Sequence, residues 1–163
     1  MSVLLSIPVL GLISILQSAV VSRLPLNRGT ADLMLVLLVA IALQQGVTTT
    51  WQWTIVGGLF VDFISGLPFG IFTVSYMLAT GLALIIRERI WRFKFLMQLL
   101  VVFIGTVISH GLSFLVLFLQ GSDLTLTTVL QVVTLPSIIL NFMLSLPIFI
   151  LTQDVLEQVN PQE

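Results

Sequence analysis

The stretch GGLFVDFISGLPFG (residues 57–70) places one aspartate, Asp62, inside an otherwise apolar and glycine-rich run. The glycines and proline of SGLPFG are typical of a tight turn, so the stretch predicts the end of one helix and the start of the next. A carboxylate at the middle of a bilayer costs about 2.5–3.5 kcal/mol on insertion scales, so the role of Asp62 needs an explanation. That role depends on whether the surrounding chain lies in a membrane.

The composition predicts an integral membrane protein that crosses the bilayer several times. Hydrophobic residues make up 58% of the chain and charged residues 8%, and the mean hydropathy is +1.18. A soluble domain carries about 25% charged residues, which it needs to cover its surface. The net charge of -1 and the lack of a basic stripe argue against a nucleic-acid partner. The absence of cysteine excludes disulfides and thiolate metal sites.

Six apolar segments predict an all-α protein with a single domain over residues 1–163, a six-helix transmembrane bundle. The predicted spans are residues 3–22, 31–45, 50–64, 69–86, 95–119 and 127–151. The second and third are shorter than the roughly 20 residues that cross a bilayer. They could be accommodated by local thinning or by packing inside a bundle, and a re-entrant pair over residues 31–64 is the alternative.

The distribution of basic residues predicts the orientation. Six spans would place both termini on one side, together with the loops at 44–50 and 87–94, and those loops hold four Lys and Arg residues, all in RERIWRFK. The other side holds Arg23 and Arg28. Both termini are therefore expected in the cytoplasm. The same loop predicts an interface with anionic lipid, an ordinary positive-inside loop being the alternative. Its candidate lipid-interface residues are Arg87, Arg89, Trp91, Arg92 and Lys94.

Small or weakly polar residues recur every four positions in several segments. Such residues lie on one helical face and let helix backbones approach closely. These seams predict a compact bundle, and a polar-lined cavity or a surface for a partner's helix is the alternative. Pro136 and Pro147 predict kinks in the last helix. The seams are Ser14, Ser18 and Ser22; Ser75, Ala79 and Ala83; Gly105, Ser109 and Ser113; and Ser137, Asn141 and Ser145.

Asp62 shares a helical face with Gly58, and three interpretations of it remain open. It could reach water near the helix end, it could bind a solute or ion, or it could be a structural lock. A lock would bond Arg23, Arg28, His110 or backbone amides, and the glycine-rich surroundings favour it.

The rest of the chain predicts a protein that is not an enzyme. His110 is the only histidine, and we interpret it as a packed, hydrogen-bonded side chain rather than a metal ligand or a catalytic base. Gln17 is interpreted as an interhelical hydrogen bonder. No phosphate loop, paired carboxylates or nucleophile elbow is found in the sequence, and no cofactor or metal site is expected.

These residues resemble the rod shape-determining protein MreD family. The resemblance consists of Gln17 in the first helix, an opening Asp32-Leu33-Met34-Leu35 in the second span, Gly46 before the third, and the stretch 57–70. Gly57, Gly58, Asp62, Gly66 and Gly70 stand where the family pattern has its glycines and aspartate. Ala31 departs from it, because many members carry proline there. The resemblance extends over nearly the whole chain in length and helix number, but only residues 57–70 are distinctive.

The resemblance implies a component of the bacterial cytoplasmic (inner) membrane that belongs to the cell-wall elongation machinery. Its partners would be MreC and, indirectly, the peptidoglycan synthase complex and MreB, besides membrane lipids. The family is similar in architecture to the substrate-binding components of energy-coupling-factor transporters, so a small-solute-binding transporter subunit is the alternative. The lack of Ala-x-x-x-Ala in the first three helices counts against a transporter. The candidate residues for partner binding or for a structural lock are Gly58, Asp62, Gly66, Pro68, Gly70, Gln17 and Asp32.

Overall fold

A computed structural model describes residues 3–19, 29–44, 47–89 and 93–159, and within these ranges the protein is all-α with six helices. The first five are α1 (Val3–Ala19), α2 (Leu33–Leu43), α3 (Thr50–Ser65), α4 (Ile71–Arg89) and α5 (Lys94–Leu119). The sixth, α6, runs without a break through Leu126–Thr128, a π-helical turn at Val129–Thr134, and Leu135–Val159. The predicted all-α class is confirmed, and each described helix overlaps one predicted span.

Three of these helices are long and apolar enough to cross a membrane. They are Ile71–Glu88, Lys94–Leu119 and Leu126–Val155, with mean hydropathies of 1.4, 2.2 and 2.0. The apolar parts of α1 and α2, Ser6–Ala19 and Leu33–Leu43, are shorter. The structure therefore supports a multi-pass membrane protein.

The short helix α2 lies at the centre of the fold. It contacts all five other described helices, and every residue from Met34 to Leu43 except Leu37 is buried. A helix that is apolar on all sides is typical of an interior position. At 1.5 Å per residue its 11 residues extend about 16 Å, roughly half of a 30 Å hydrocarbon core. Because other helices surround it, α2 is short without leaving a gap that lipid must fill.

Adjacent glycines let α3 pack against two helices at once. A Cβ atom on Gly57 would lie 2.9 Å from the sulfur of Met34 in α2. One on Gly58 would lie 2.5 Å from the Cα atom of Thr73 in α4. The face that Gly58 shares with Asp62 is thus covered by α4 of the same chain.

The tight turn predicted at SGLPFG joins α3 and α4, and two of its glycines have positive φ angles. Gly66 has φ 69° and ends α3 in the left-handed conformation, and Gly70 has φ 102° directly before α4. Residues with a Cβ atom rarely adopt these angles. The turn therefore depends on glycine at both positions.

The seams on α4 and α6 are buried in the bundle. Ser75, Ala79 and Ala83 are buried on α4, and the three seam residues of α6 are buried as well. Ser18 of α1 is exposed, and Ser22 lies outside the described residues. Pro136 and Pro147, where kinks are predicted, both lie within α6, and a π-helical turn ends two residues before Pro136. π-helical turns are a recognised cause of local bending.

We expect Gly58→Ala to destabilise the protein, because the added methyl group would meet the Thr73 backbone at 2.5 Å. Overpacking of this kind costs about 1–3 kcal/mol. The measurement is thermal unfolding of the purified protein in detergent. Gly111→Ala is the matched control, since no atom lies within 4 Å of a Cβ at that position in α5. Equal melting temperatures for the two variants would contradict the close contact between α3 and α4.

Candidate functional site

The buried N-terminus of α2 has hydrogen-bond partners for its first backbone N–H groups. The Asp32 carboxylate accepts from the Leu35 N–H at 3.0 Å, and the Asp32 carbonyl accepts from the Val36 N–H at 3.1 Å. The Gln17 side-chain oxygen of α1 accepts from the Met34 N–H at 3.0 Å. The first turn of any helix leaves such donors without intrahelical partners. Asp32 occupies the N-cap position of α2, where aspartate is a favoured residue.

Two further helices bond to Asp32. The Tyr76 hydroxyl of α4 lies 2.8 Å and 2.7 Å from the two Asp32 carboxylate oxygens. The Asp32 N–H donates to the Asn141 side-chain oxygen of α6 at 2.6 Å. Asn141 in turn donates to the Thr106 hydroxyl of α5 at 2.9 Å. We call Gln17, Asp32, Tyr76, Thr106 and Asn141 the Asp32 cluster. It joins α1, α2, α4, α5 and α6 at one point.

The opposite end of α2 is held by a cation. The Arg87 guanidinium of α4 donates to the Gln44 carbonyl at 3.0 Å and to the Ala42 carbonyl at 3.3 Å. A positive charge at a helix C-terminus, like an aspartate at its N-terminus, complements the helix dipole. Tyr76 and Arg87 are about 16 Å apart along α4, which is also the length of α2. The helix α4 therefore runs alongside α2 in the same direction and contacts both of its ends.

Asp62 bonds the N-terminus of α4, as Asp32 bonds the N-terminus of α2. Its carboxylate accepts from the Phe72 N–H at 2.9 Å, from the Thr73 N–H at 3.1 Å and from the Thr73 hydroxyl at 2.6 Å. The side chain is only 4% exposed. An anion bound by backbone amides at a helix N-terminus is in a favourable field. Of the three interpretations, this geometry is the lock to backbone amides.

Of the other predicted partners of Asp62, the structure describes His110, which bonds a different residue. The His110 ring nitrogen Nδ1 lies 3.1 Å from the Thr134 hydroxyl, which is a hydrogen-bonded position between α5 and α6. Arg23 and Arg28 lie outside the described residues. The lock at Asp62 is therefore made within α3 and α4, through donors that the sequence does not single out.

The predicted site residues fall into two buried groups and a turn. Gln17 and Asp32 meet in the Asp32 cluster, and Gly58 and Asp62 contact the start of α4. Gly66, Pro68 and Gly70 form the turn before α4. Sequence reasoning missed Tyr76, whose only signal was its being the one tyrosine of the chain.

The basic segment is only partly described. Arg87 points to the carbonyls of α2, a contact that the sequence analysis did not anticipate. Lys94 is the first residue of α5 and is partly exposed. Trp91, Arg92 and the side chain of Arg89 lie outside the described residues.

A polar groove opens between α1 and α3. It has a volume of about 310 Å³. Within it the Ser14 hydroxyl donates to the Leu10 carbonyl at 2.8 Å, and the Ser18 hydroxyl donates to the Ile15 carbonyl at 3.1 Å. These hydroxyl protons are engaged, so both oxygens are available to further partners only as acceptors. We call it the α1–α3 groove. Its lining residues are Ser14, Gln17, Ser18, Thr30, Val61, Ile64, Ser65 and Phe72.

Comparison with known proteins adds no assignment: no family model, curated protein or solved structure matches this chain. Within the described ranges, no group of three or more His, Cys, Asp or Glu side chains is placed to hold a metal ion. The site is therefore described by its own geometry, in which buried and partly buried polar side chains bond the ends of helices.

We expect Tyr76→Phe to destabilise the protein by about 1.5–3 kcal/mol, the range for a hydrogen bond to a charged group. The change removes only the hydroxyl that bonds Asp32. A double-mutant cycle with Asp32→Asn, measured by unfolding in mixed micelles, isolates the pairwise coupling.

Unfolding in mixed micelles also tests the other end of α2. We expect Arg87→Met to destabilise the protein, because it removes both hydrogen bonds to the carbonyls at the end of α2. Glu88→Gln is the matched control, because Glu88 is exposed on the same helix and should change stability by less than about 0.5 kcal/mol. If Glu88→Gln lowered the stability as much as Arg87→Met, a specific role for the Arg87 contact would be contradicted.

Proposed function

We propose that this protein is a non-enzymatic scaffold of the bacterial cytoplasmic membrane that acts in cell-wall elongation. It binds an MreC-type partner with one membrane span and helps to position the peptidoglycan synthase, with MreB associated indirectly. The observation that carries the proposal is the use of the buried and partly buried polar groups. Asp32, Asp62, Tyr76, Asn141 and Arg87 all bond the ends of helices or one another.

This use of polar groups supports a scaffold rather than an enzyme. A general base or nucleophile must be within hydrogen-bond reach of a substrate. The Asp62 carboxylate already accepts three hydrogen bonds within the protein, and the Asp32 carboxylate accepts from Leu35 and Tyr76. Such bonds favour a fixed arrangement of helices, which a scaffold needs in order to present a constant surface.

The resemblance of residues 57–70 to the MreD family supplies the particular machinery. The six predicted spans and the distribution of Lys and Arg residues place the basic loop RERIWRFK and both termini in the cytoplasm in this proposal. The turn at Gly66–Gly70 then faces the opposite side of the membrane, where an MreC-type partner has most of its mass.

The partner-binding surface in this proposal is the region around that turn. Phe63 and Phe69 are 76% and 61% exposed, and their rings are in edge contact with centroids 5.1 Å apart. Ile64, also exposed, lines the α1–α3 groove beside them. Exposed aromatic residues next to a groove suit the juxtamembrane segment of a partner.

A solute-binding subunit of an energy-coupling-factor-type transporter is the second candidate. The α1–α3 groove favours it, because its volume of about 310 Å³ falls at the lower end of the range of small-molecule sites. Its hydroxyl acceptors would suit a solute with hydrogen-bond donors.

Affinity purification from the native host in mild detergent separates the two candidates. The scaffold predicts co-purification of a single-span coiled-coil protein and a cell-wall synthase. Recovery of a transmembrane coupling protein with ATPases would instead support the transporter subunit and overturn the scaffold.

We expect Asp62→Asn to lower both the yield of the partner complex and the fraction of rod-shaped cells. Asparagine keeps one acceptor oxygen, so its NH2 group would face either the Phe72 N–H or the Thr73 N–H. That N–H is then left unpaired at a cost of about 1–3 kcal/mol. The measurements are complex yield from purified membranes and cell width by microscopy.

Asp123→Asn makes the same chemical change at an exposed position and is the control. Wild-type shape and complex yield in Asp62→Asn cells would contradict the role of Asp62 in this function.

A further inference from the structure

A second groove lies at the end of the bundle that carries Arg87, and its lining is almost entirely apolar. Val9 of α1, Ile41 of α2, Trp53 of α3 and Leu151 of α6 contribute to it, and its volume is about 210 Å³. Thr152 also lines it, but the Thr152 hydroxyl donates to the Ile148 carbonyl at 2.7 Å. That proton is therefore engaged inside α6.

Trp53 supplies an unpaired donor at this groove. Its side chain is 2% exposed, and its indole nitrogen Nε1 has no hydrogen-bond partner among the described residues. Buried polar groups are nearly always paired, so a buried N–H without a partner points to an acceptor beyond the described residues. Because Trp53 lines the groove, an acceptor seated in the groove lies beside its indole.

The depth of the groove indicates the chemistry of that acceptor. Trp53 lies in the first turn of α3, and Ile41 directly precedes the Ala42 carbonyl that Arg87 contacts. An indole near the end of a membrane helix, on the side with more basic residues, is at the level of the lipid headgroups and esters. Glycerophospholipids place ester carbonyl oxygens there, next to their apolar chains.

A partner helix does not meet these requirements as well. Its backbone carbonyls are already bonded within the helix at membrane depth. It would bring apolar side chains to the groove and leave the indole N–H unpaired.

We propose that this groove is a lipid site that binds one acyl chain of a glycerophospholipid, whose ester carbonyl accepts a hydrogen bond from Trp53 Nε1. The site lies at the end of the molecule opposite the turn at Gly66–Gly70. It requires only a membrane around the protein and is independent of the proposed function in elongation.

Native mass spectrometry of the purified full chain, reconstituted with defined lipids, tests this site. The probes are ester-linked and ether-linked phosphatidylglycerols with the same chains, because the ether lipid lacks the carbonyl acceptor. We expect the ester lipid to be retained about three- to tenfold better, the ratio that one hydrogen bond supplies. Trp53→Phe should abolish this preference. Trp51→Phe, a change on the same helix at a residue that is 43% exposed, should preserve it.

Fluorescence quenching gives a second readout that needs no change at Trp53. In the Trp51→Phe/Trp91→Phe variant, Trp53 is the only tryptophan. Vesicles of ester lipids brominated on the upper methylenes should quench it. Equal retention of ester and ether lipids by the wild-type protein, or an unquenched Trp53, would overturn the proposal. An indole shielded from these lipids by a second copy or a partner would count against it as well.

Discussion

The fold depends on satisfying the two ends of a short helix that lies inside a membrane bundle. Lipid offers no hydrogen bonds to the terminal N–H and C=O groups of α2, and leaving them unpaired costs several kcal/mol each. The Asp32 cluster and the Arg87 side chain provide partners at the two ends. Each also places a charge of the sign that the helix dipole favours. The surrounding helices are therefore positioned by polar contacts as well as by the apolar packing around α2.

Through these contacts the position of α4 depends on α3, and the bonds at the two ends of α2 depend on α4. Asp62 of α3 bonds the first turn of α4, and α4 then presents Tyr76 and Arg87 to the two ends of α2. Gly58 lets α3 and α4 approach closely enough for the first of these bonds. The isolated carboxylate in GGLFVDFISGLPFG thus acts on α2 through the position of α4. Such coupling fixes α3 and α4 relative to each other at the turn, beside which Phe63 and Phe69 are exposed.

Much of this arrangement could be read from local sequence. Helix positions follow from the apolar runs and from the glycines and prolines between them, because membrane-spanning backbone must be helical. The seams on α4 and α6 follow from residues four apart, and the positive φ angles follow from Gly66 and Gly70. The preference for Asp62 as a lock rested on its glycine-rich surroundings. Its partners could not be named, because backbone donors of a following helix look the same in every sequence.

The sequence by itself determined the class of protein, the six helices, the turn and the presence of two carboxylates that need partners. Only the tertiary structure decided what those partners are. Tyr76 and Asp32 are 44 positions apart, Asn141 and Asp32 are 109 apart, and Arg87 and Gln44 are 43 apart. No local pattern encodes such pairs, because they depend on which helices become neighbours and at what depth. The central position of α2 is also a feature of the tertiary structure. Five other described helices enclose it, and its length alone does not require that position.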